Sequence, residues 1–525
     1  MERILITDGV SPAAARVFEE HGFEADDKPD LSSDELMACI GGYDALVVRS
    51  RTKVSTELLE AGTNLKVVGR AGIGVDNIDL AAATARGVVV INTPYGNSIT
   101  TAEHTIAMMM ALARQIPQAD RATQAGEWPK SRFMGVEIHQ KSLGIIGCGN
   151  IGAIVAQLAQ GLHMRVMACD PYLSPERAQE IGVERVTLER LLERADFITL
   201  HVPLNDETRG MIDAEALAKM KTGVRVIDCA RGGLIVEADL AAAIASGKVA
   251  GAALDVFEVE PAKQNLLFGN DKVIATPHLG AVTAEAQENV AIQVAEQISD
   301  FLRTGAVSHA VNMPSITAEE APRLKPYMKL AENLGSFAGQ LTETGIKKVQ
   351  LEYEGQAAEL NTKPLTAIAL QGLLAPVLHT VNMVSAPLVA RERGIEVTEV
   401  KNDRRGIYQS LIRLTVTTER QSRSVAGSLF ADNRPRLVEV KGIPIEAEVA
   451  AHMLYITNED RPGTVGAIGK TLGDAGVNIA TFHLGRSERG GDAISLIQVD
   501  DSVPDSVLAA LRALPNVIQI KALHF

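Results

Sequence analysis

Cysteines and long apolar runs are scarce in this sequence. Only four cysteines occur among its 525 residues, and they lie far apart with no C-x-x-C pair, so we expect neither a metal site nor a disulfide framework. No uncharged apolar stretch reaches the roughly 18 residues that a membrane-spanning helix requires. The first residues also lack the basic and apolar regions of a signal peptide. These absences predict a cytoplasmic protein that does not contact a membrane.

Basic residues are also in the minority. The chain has 51 lysines and arginines against 65 aspartates and glutamates, for a net charge of −14 at pH 7. Because nucleic-acid binding needs a dense basic surface, this balance disfavours a nucleic-acid binder. Apolar residues make up 46% of the chain and charged residues 22%, as in ordinary globular proteins. The length favours roughly three or four domains.

Short apolar runs alternate with amphipathic stretches in residues 1–98 and again in residues 142–276. This alternation predicts βαβ units and two parallel sheets. Ser98 can cap one long helix, and the apolar spacing of residues 284–302 predicts another. If these helices cross between the two units, the first domain is discontinuous and encloses the second, with bounds of 1–98 plus 284–314 for the first and 99–283 for the second.

The pattern changes after Pro314. Residues 315–450 give mixed helix and strand signals and form a third domain that periodicity does not identify. In residues 451–525 the order of predicted elements is βαββαβ, which is that of a ferredoxin-like sandwich. We therefore expect two α/β domains, then an α+β domain, then a ferredoxin-like domain.

Residues 147–152 read G-C-G-N-I-G, directly after a predicted strand and before a helical pattern. In a dinucleotide-binding turn, Gly147 permits the tight turn, Gly149 lets the backbone approach a pyrophosphate and Gly152 lets the helix pack closely. The helix that begins near Asn150 offers free N–H groups and a positive dipole end to the phosphates. The alternative is a glycine-rich turn that binds no ligand.

An acidic residue, Asp170, follows the next predicted strand, 18 residues beyond Gly152. A carboxylate at this position can bind both ribose hydroxyls of a dinucleotide and would repel a 2′-phosphate. No arginine stands beside it. The sequence therefore favours NAD over NADP.

Three polar residues, Arg231, Glu260 and His278, lie at predicted strand ends or loops. Taken singly, each has an ordinary structural explanation. Together they match the needs of hydride transfer to or from a 2-hydroxy acid, because histidine can exchange the hydroxyl proton near neutral pH. A carboxylate beside the imidazole would hold its tautomer and favour its protonated form. Arginine supplies a planar fork for the substrate carboxylate.

At these residues the sequence resembles the D-isomer-specific 2-hydroxy-acid dehydrogenase family, across about residues 1–310. The matching stretches are 147–152, 228–233, 255–261 and 276–280. The resemblance implies a Rossmann-type NAD-binding domain at 99–283, inserted in a flavodoxin-like substrate-binding domain. It also implies roles for Arg231 in substrate orientation, His278 in acid/base catalysis and Glu260 in supporting His278, and further cofactor contacts at Ile151, Pro203, Thr208, Ala230 and Asp255.

The resemblance also bears on substrate binding. The glycine-rich loop at 69–76 is similar to the family's carboxylate-binding loop, in which backbone N–H groups form an anion nest, here at Gly72, Ile73 and Gly74. A phosphorylated substrate calls for additional polar and cationic groups. Similar residues contact the substrate in phosphoglycerate dehydrogenases, which implies substrate contacts for Arg49, Arg51, Asn97 and Lys130.

Simple members of the family are similar only to the first 310 or so residues. The remaining tail resembles the intervening domain (315–450) and the ACT domain (451–525) of the long phosphoglycerate dehydrogenases, through residues 458–463 and 476–479. In such modules a small amino acid binds near the first helix, which implies an effector site at Asp460, Gly463 and Asn478. A ferredoxin-like domain that serves only oligomerisation is the alternative.

The resemblance implies NAD-dependent oxidation of 3-phospho-D-glycerate to 3-phosphooxypyruvate, the committed step toward serine, in a homotetramer regulated by L-serine. Two alternatives stay open. One is another D-2-hydroxy-acid dehydrogenase, such as a hydroxypyruvate, glyoxylate or 2-oxoglutarate reductase. The other is an NAD-sensing binding protein, because some transcriptional corepressors resemble this dehydrogenase fold.

Overall fold

The computed structural model describes residues 2–317, 319–378, 381–402, 406–430 and 433–525. Its first sheet is parallel, with strand order β2-β1-β3-β4-β5. Both faces are covered, so β3 is buried along its whole length. The elements are β1 (Arg3–Ile6), α1 (Ala13–Glu20), β2 (Glu24–Asp27), α2 (Ser33–Cys39), β3 (Ala45–Val48), α3 (Thr56–Ala61), β4 (Val67–Arg70), α4 (Leu80–Arg86) and β5 (Val89–Asn92), with a 3₁₀ turn at Ile40–Gly42.

Two helices, α5 (Ser98–Arg114) and α6 (Ile116–Gln124), and a 3₁₀ turn at Lys130–Phe133 lead to a second parallel sheet. Its strand order is β12-β11-β10-β9-β6-β7-β8, so the order reverses between β6 and β9 and opens a crevice at the carboxyl ends of these strands. The elements are β6 (Ser142–Ile146), α7 (Asn150–Gly161), β7 (Arg165–Cys169), α8 (Pro175–Ile181), β8 (Glu184–Arg185), α9 (Leu188–Arg194), β9 (Phe197–Leu200), α10 (Ala214–Lys219), β10 (Val224–Asp228), α11 (Glu237–Ala245), β11 (Val249–Leu254) and β12 (Val273–Ala275).

The next helix, α12 (Ala284–Thr304), returns to the first sheet. It is capped by the hydroxyl of Thr283, and its apolar face shares a core with β1, β3 and β4. The approach is so close that a Cβ atom at Gly69 would lie 2.5 Å from Cγ2 of Val294. We call the first sheet with α1–α4 and α12 the first lobe, and the second sheet with α5–α11 the second lobe.

The third unit combines three helices with a mixed sheet of order β14-β13-β15-β16-β17-β18, in which β13 and β14 are parallel and the other neighbours antiparallel. Helices α13 and α14 pack so closely that a Cβ atom at Gly335 would lie 2.1 Å from the carbonyl oxygen of Ala369. The elements are α13 (Ala321–Gln340), β13 (Ile346–Gly355), α14 (Thr362–Leu374), α15 (Ala386–Glu392), β14 (Glu396–Asn402), β15 (Ser410–Thr418), β16 (Ser422–Leu429), β17 (Pro435–Val440) and β18 (Ile443–Glu448).

The last unit is an antiparallel sheet of order β20-β21-β19-β22 with two helices. The elements follow one another as βαββαβ, so the predicted fold class, two α/β units followed by an α+β unit and a ferredoxin-like unit, is confirmed. Within the described ranges no helix combines the length and apolar character needed to cross a bilayer. The elements are β19 (His452–Glu459), α16 (Thr464–Asp474), β20 (Ile479–Arg486), β21 (Asp492–Val499), α17 (Asp505–Arg512) and β22 (Val517–His524).

Candidate active site

The three proposed catalytic residues follow three neighbouring strands. Arg231 comes after β10, Glu260 after β11 and His278 after β12, and these strands are adjacent and parallel. Because the carboxyl ends of parallel strands meet at one edge of a sheet, the fold places all three residues along the same edge. The glycine turn that begins at Gly147 follows β6 at that edge too.

His278 and Glu260 form a direct pair. Nδ1 of the imidazole lies 2.7 Å from Oε2 of Glu260, while Oε1 of the same carboxylate accepts a hydrogen bond from the N–H of Phe257. Burial acts to raise the pKa of Glu260, but the hydrogen bond and charge of His278 outweigh it, and the pKa falls below its usual range. The carboxylate therefore stays ionised and holds the imidazole by Nδ1, which leaves Nε2 to exchange a proton.

Arg231 contacts the first lobe. Its Nε lies 3.0 Å from Oδ2 of Asp76, and its Nη1 donates to the carbonyl oxygen of Ala230 at 2.6 Å. A Cβ atom at Gly74 would lie 1.9 Å from Nη2 of Arg231. The guanidinium therefore rests against the glycine-rich loop that the sequence proposes as an anion nest, and only glycine fits at position 74.

A further arginine, Arg70, underlies this loop, and sequence analysis missed it. Its side chain donates to the carbonyl oxygen of Ala71, and a Cβ atom at Gly72, where φ is +149°, would lie 1.6 Å from its Nη1. Burial, with the nearby charges of Arg231 and Arg49, lowers the pKa of Arg70 to about 10. Arg70 lies within the loop at 69–76, but nothing in the sequence signals that its Nε is buried. These positive charges favour an anion at the loop.

The glycine turn has the geometry that a dinucleotide requires. Gly147 has φ +91°, and a Cβ atom at Gly152 would lie 2.1 Å from the carbonyl oxygen of Gly147. A Cβ atom at Gly149 would meet no atom within 4 Å, so open space adjoins the first turn of α7, which contains Asn150 and Ile151. The turn and the helix N-terminus together fit the pyrophosphate of NAD.

Asp170 lies beside this turn at the end of β7. Its carboxylate accepts hydrogen bonds from the N–H groups of Cys148 at 2.8 Å and Tyr172 at 2.7 Å. Each oxygen retains a lone pair that can accept from a ribose hydroxyl. The carboxylate of Asp170 therefore lies where the binding of NAD requires an acceptor for the ribose hydroxyls.

Of the other cofactor residues that the resemblance implies, two share one turn after β9: the hydroxyl of Thr208 donates to the carbonyl oxygen of Pro203 at 2.6 Å. Ala230 adjoins Arg231 and donates its N–H to Asp228. Asp255 is 0% exposed, and its carboxylate accepts from protein donors, including the N–H groups of Leu279 and Gly280. Its direct contact with the cofactor stays a prediction.

The proposed substrate residues are only partly brought together. Arg49 follows β3 and is close enough to Arg70 to affect its pKa. Arg51 instead contacts Asp8 and the carbonyl oxygen of Pro29. The side-chain oxygen of Asn97, at the start of α5, is buried without a hydrogen-bond partner among the described residues, which leaves it available to a ligand.

Lys130 lies at the opposite end of the second sheet. Two residues further on, Arg132 pairs with Asp271, which precedes β12, whereas His278 follows that strand. Helix α5 carries the chain across the sheet between Asn97 and this region. The structure therefore does not bring Lys130 together with the other proposed substrate residues of its own chain, and its substrate contact stays a prediction.

The proposed effector residues lie in the last unit. Gly463, with φ +92°, precedes α16, and Nδ2 of Asn478 donates to Asp500. Asp460 accepts from the N–H of Gly490 and from Arg486, and these two contacts lower its pKa. An incoming ammonium group would therefore share this carboxylate with Arg486.

Family models match three parts of the chain. They are the D-isomer specific 2-hydroxyacid dehydrogenase NAD binding domain at residues 106–280, the D-3-phosphoglycerate dehydrogenase intervening domain at 323–441 and the ACT domain at 452–516. The cofactor predicted from the glycine turn and Asp170, NAD, is thereby confirmed.

Similar proteins cover the whole chain. The D-3-phosphoglycerate dehydrogenase of Bacillus subtilis (strain 168) is 43% identical over 524 residues, 99% of each chain. That of Methanocaldococcus jannaschii is 42% identical over 526 residues, 100% of each chain.

Solved structures match more than half of the chain. A glyoxylate reductase from Paecilomyes thermophila is 30% identical, with a TM-score of 0.55 over 59% of this chain and 98% of that one. A D-lactate dehydrogenase from Aquifex aeolicus, complexed with NAD and lactic acid, is 27% identical, with a TM-score of 0.53 over 59% of this chain and 100% of that one. With relatives this similar along its full length, the chain is an NAD-dependent oxidoreductase and belongs to the D-3-phosphoglycerate dehydrogenase family.

Proposed function

We propose that this protein oxidises 3-phospho-D-glycerate to 3-phosphooxypyruvate with NAD, in the first step of serine biosynthesis. The observation that carries the proposal is the site at the carboxyl edge of the second sheet, where the His278–Glu260 pair follows β12 and β11 and Arg231 rests on the loop of the first lobe. Full-length similarity to D-3-phosphoglycerate dehydrogenases supports this substrate over unphosphorylated acids, because the glyoxylate reductase covers only 59% of this chain.

Each catalytic residue has one task in this reaction. Nε2 of His278 accepts the proton of the substrate 2-hydroxyl during oxidation and returns it during reduction. Glu260, ionised at 2.7 Å from Nδ1, stabilises the imidazolium that forms. Arg231 and the N–H groups of the loop at 72–74 hold the substrate carboxylate, and the Asp76 contact fixes the guanidinium plane. When bound, NAD supplies the hydride acceptor.

The phosphate of the substrate requires separate cations. Arg49 is the best supported, because it follows β3 and lies near Arg70. Asn97 contributes the buried side-chain oxygen at the start of α5, which can accept a hydrogen bond from a substrate hydroxyl. Arg51 belongs to the proposal only if it leaves Asp8 when substrate binds.

Regulation and assembly form the finer part of the proposal. L-serine binds the ACT unit through Asp460, Gly463 and Asn478 and inhibits the reaction, and the enzyme is a cytoplasmic homotetramer. The division into a substrate-binding domain (1–98 and 284–314), an NAD-binding domain (99–283), an intervening domain (315–450) and an ACT domain (451–525) is part of the same proposal. The match to an ACT model supports an amino-acid effector.

The test compares NADH oxidation with 3-phosphooxypyruvate, hydroxypyruvate, glyoxylate and 2-oxoglutarate at matched concentrations, with L-serine added in a parallel series. We expect the highest kcat/KM for 3-phosphooxypyruvate and saturable inhibition by serine. A higher kcat/KM for an unphosphorylated acid would overturn the substrate. NADH binding without turnover of any of the acids would favour a sensing protein.

A further inference from the structure

A second histidine–carboxylate pair lies next to the His278–Glu260 pair. Nε2 of His104, on α5, is 3.3 Å from Oδ1 of Asp255, which follows β11. The side chain of Asp255 is fully buried, whereas that of His104 is 19% exposed. The proposed reaction gives His104 no role.

Asp255 binds three successive backbone N–H groups of the turn that contains His278. Its carbonyl oxygen accepts from the N–H of His278 at 2.9 Å. Its carboxylate accepts from the N–H groups of Leu279 at 2.7 Å and Gly280 at 2.8 Å, and from the hydroxyl of Thr276 at 2.6 Å. One buried residue therefore fixes the backbone on both sides of the imidazole.

The turn that contains His278 has an unfavourable backbone conformation. His278 has φ +57°, in the left-handed region that residues with a side chain rarely adopt. Such a conformation persists only where surrounding contacts enforce it. The hydrogen bonds to Asp255 are the contacts that enforce it here, and they are strongest when the carboxylate is ionised.

Helix α5 holds the same turn from the other side. The hydroxyl of Thr101 donates to the carbonyl oxygen of Gly280 at 2.9 Å, and Nε2 of His104 is 3.3 Å from the hydroxyl oxygen of Thr276. Thr101 and His104 are three residues apart, so they lie on one face of the helix. The helix that links the two lobes thus contacts the turn at two points.

We infer that His104 is a positioning residue: through Asp255 it holds residues 276–280 in the conformation that aims the imidazole of His278. The inference rests on the proposed function, in which His278 exchanges the substrate proton. Burial acts to raise the pKa of Asp255, and the hydrogen bonds from His104, Thr276 and the two amides bring it below its usual range. Without His104 the carboxylate loses one of the contacts that hold it against the turn.

The other ionisable groups near Asp255 do not replace His104. They are Asp228 and Cys229 after β10, and the Glu260–His278 pair. Burial raises the pKa of Asp228 to about 7, and an ionised Glu260 opposes a second negative charge at Asp255. Among the residues that the structure describes, the side chains of His104 and Thr276 contact the carboxylate of Asp255, and Thr276 carries no charge.

The experiment uses the full chain with the variants His104→Leu and His104→Gln. Glutamine places an N–H donor where Nε2 of histidine stands, whereas leucine does not. The control is His139→Leu, the same substitution at an exposed histidine that pairs only edge-on with His163. For each protein, kcat and KM for 3-phosphooxypyruvate and NADH are measured from pH 6 to pH 9.

We expect His104→Leu to lower kcat about tenfold, the loss of one hydrogen bond to a charged group, with the KM for NADH nearly unchanged. His104→Gln and His139→Leu should retain the wild-type kcat at every pH. A wild-type kcat in His104→Leu would overturn the inference.

Hydrogen exchange supplies a readout that does not depend on turnover. The amides of Leu279 and Gly280 should exchange faster in His104→Leu than in the wild type or in His104→Gln. If the wild type does not reduce 3-phosphooxypyruvate, the proposed function fails, and the exchange rates still decide the positioning role. If His104→Leu does not fold, His104→Asn, whose side chain is too short to reach Asp255, replaces it with the same expectations. Unchanged exchange at both amides would contradict the role of His104.

Discussion

Asp76 and Arg231 join the two lobes across the candidate site: Oδ2 of Asp76 lies 3.0 Å from Nε of Arg231, 155 positions further along the chain. Asp76 follows β4 in the first lobe and Arg231 follows β10 in the second. The orientation of the guanidinium that binds the substrate carboxylate therefore depends on how the two lobes sit together. Because this contact joins loops of different lobes, the orientation of Arg231 requires both lobes.

Substitution of Asp76 should weaken substrate binding without affecting the cofactor. In Asp76→Ala, Nε of Arg231 loses its partner, so we expect the KM for 3-phosphooxypyruvate to rise about tenfold, as for a lost hydrogen bond between charged groups. The KM for NADH should not change. Asp76→Asn is the matched control, because it keeps an acceptor oxygen. Its KM for 3-phosphooxypyruvate should lie between those of the wild type and Asp76→Ala. Steady-state kinetics that show equal effects on both KM values would contradict the orienting role.

Gly74 should tolerate no side chain. A Cβ atom there would lie 1.9 Å from Nη2 of Arg231, so Gly74→Ala must displace either the loop or the guanidinium. We expect a loss of kcat/KM of about a hundredfold with intact NADH binding, because misplaced substrate contacts are costly. Gly161→Ala is the control, because a Cβ atom at that position meets no atom within 4 Å. Normal kinetics in Gly74→Ala would show that the guanidinium does not rest on the loop.

Removal of the imidazole tests proton exchange directly. His278→Asn should lower kcat by roughly 10² to 10⁴, the usual contribution of general acid–base catalysis, while NADH still binds with its wild-type affinity in a fluorescence titration. His139→Asn, at an exposed site distant in sequence, should have no effect. A kcat within a few-fold of the wild type would remove His278 from the mechanism.

The buried carboxyl of Asp228 predicts a pH-dependent stability. Burial raises its pKa from the ordinary 3.8 to about 7, so between roughly pH 4 and pH 7 the folded protein keeps a proton that the unfolded chain releases. Raising the pH across this window therefore lowers the free energy of unfolding. Asp228→Asn removes that titration and should become more stable relative to the wild type from pH 5 to pH 8.

Urea unfolding at several pH values measures this difference. The exposed Asp206→Asn serves as the control and should follow the wild type at every pH. A difference between Asp228→Asn and the wild type that stays constant from pH 5 to pH 8 would show that the carboxyl does not titrate in this window.

The sequence predicted the elements whose apolar pattern is strong. The order of the ferredoxin-like unit and the strands β3, β6 and β9 are recognisable because buried strands are continuous apolar runs. The apolar pattern does not predict strands β2, β8 and β12. The residues of β2, Glu24–Asp27, are mostly acidic, β8 is two residues long and β12 is three. These strands form by pairing with neighbours, which a local pattern does not reveal.

The site was predictable where a motif fixes its own geometry. The glycine turn follows from residues near a strand end, and the His278–Glu260 pair from the family resemblance. The contact of Arg231 with Asp76, the burial of Nε of Arg70 and the position of His104 depend on how distant segments pack. The distance of Lys130 from the other proposed substrate residues has the same origin, since the course of α5 across the sheet is a property of the fold.

The most direct test of the account is a crystal structure of the protein with NAD and 3-phosphooxypyruvate, a pair that cannot transfer a hydride. We predict Nε2 of His278 within about 2.7–3.2 Å of the C2 oxygen, and the guanidinium of Arg231 on the carboxylate of the same molecule, with the pyrophosphate on the turn at 147–152. A ligand bound by only one of these two side chains, or bound away from the dinucleotide, would contradict it.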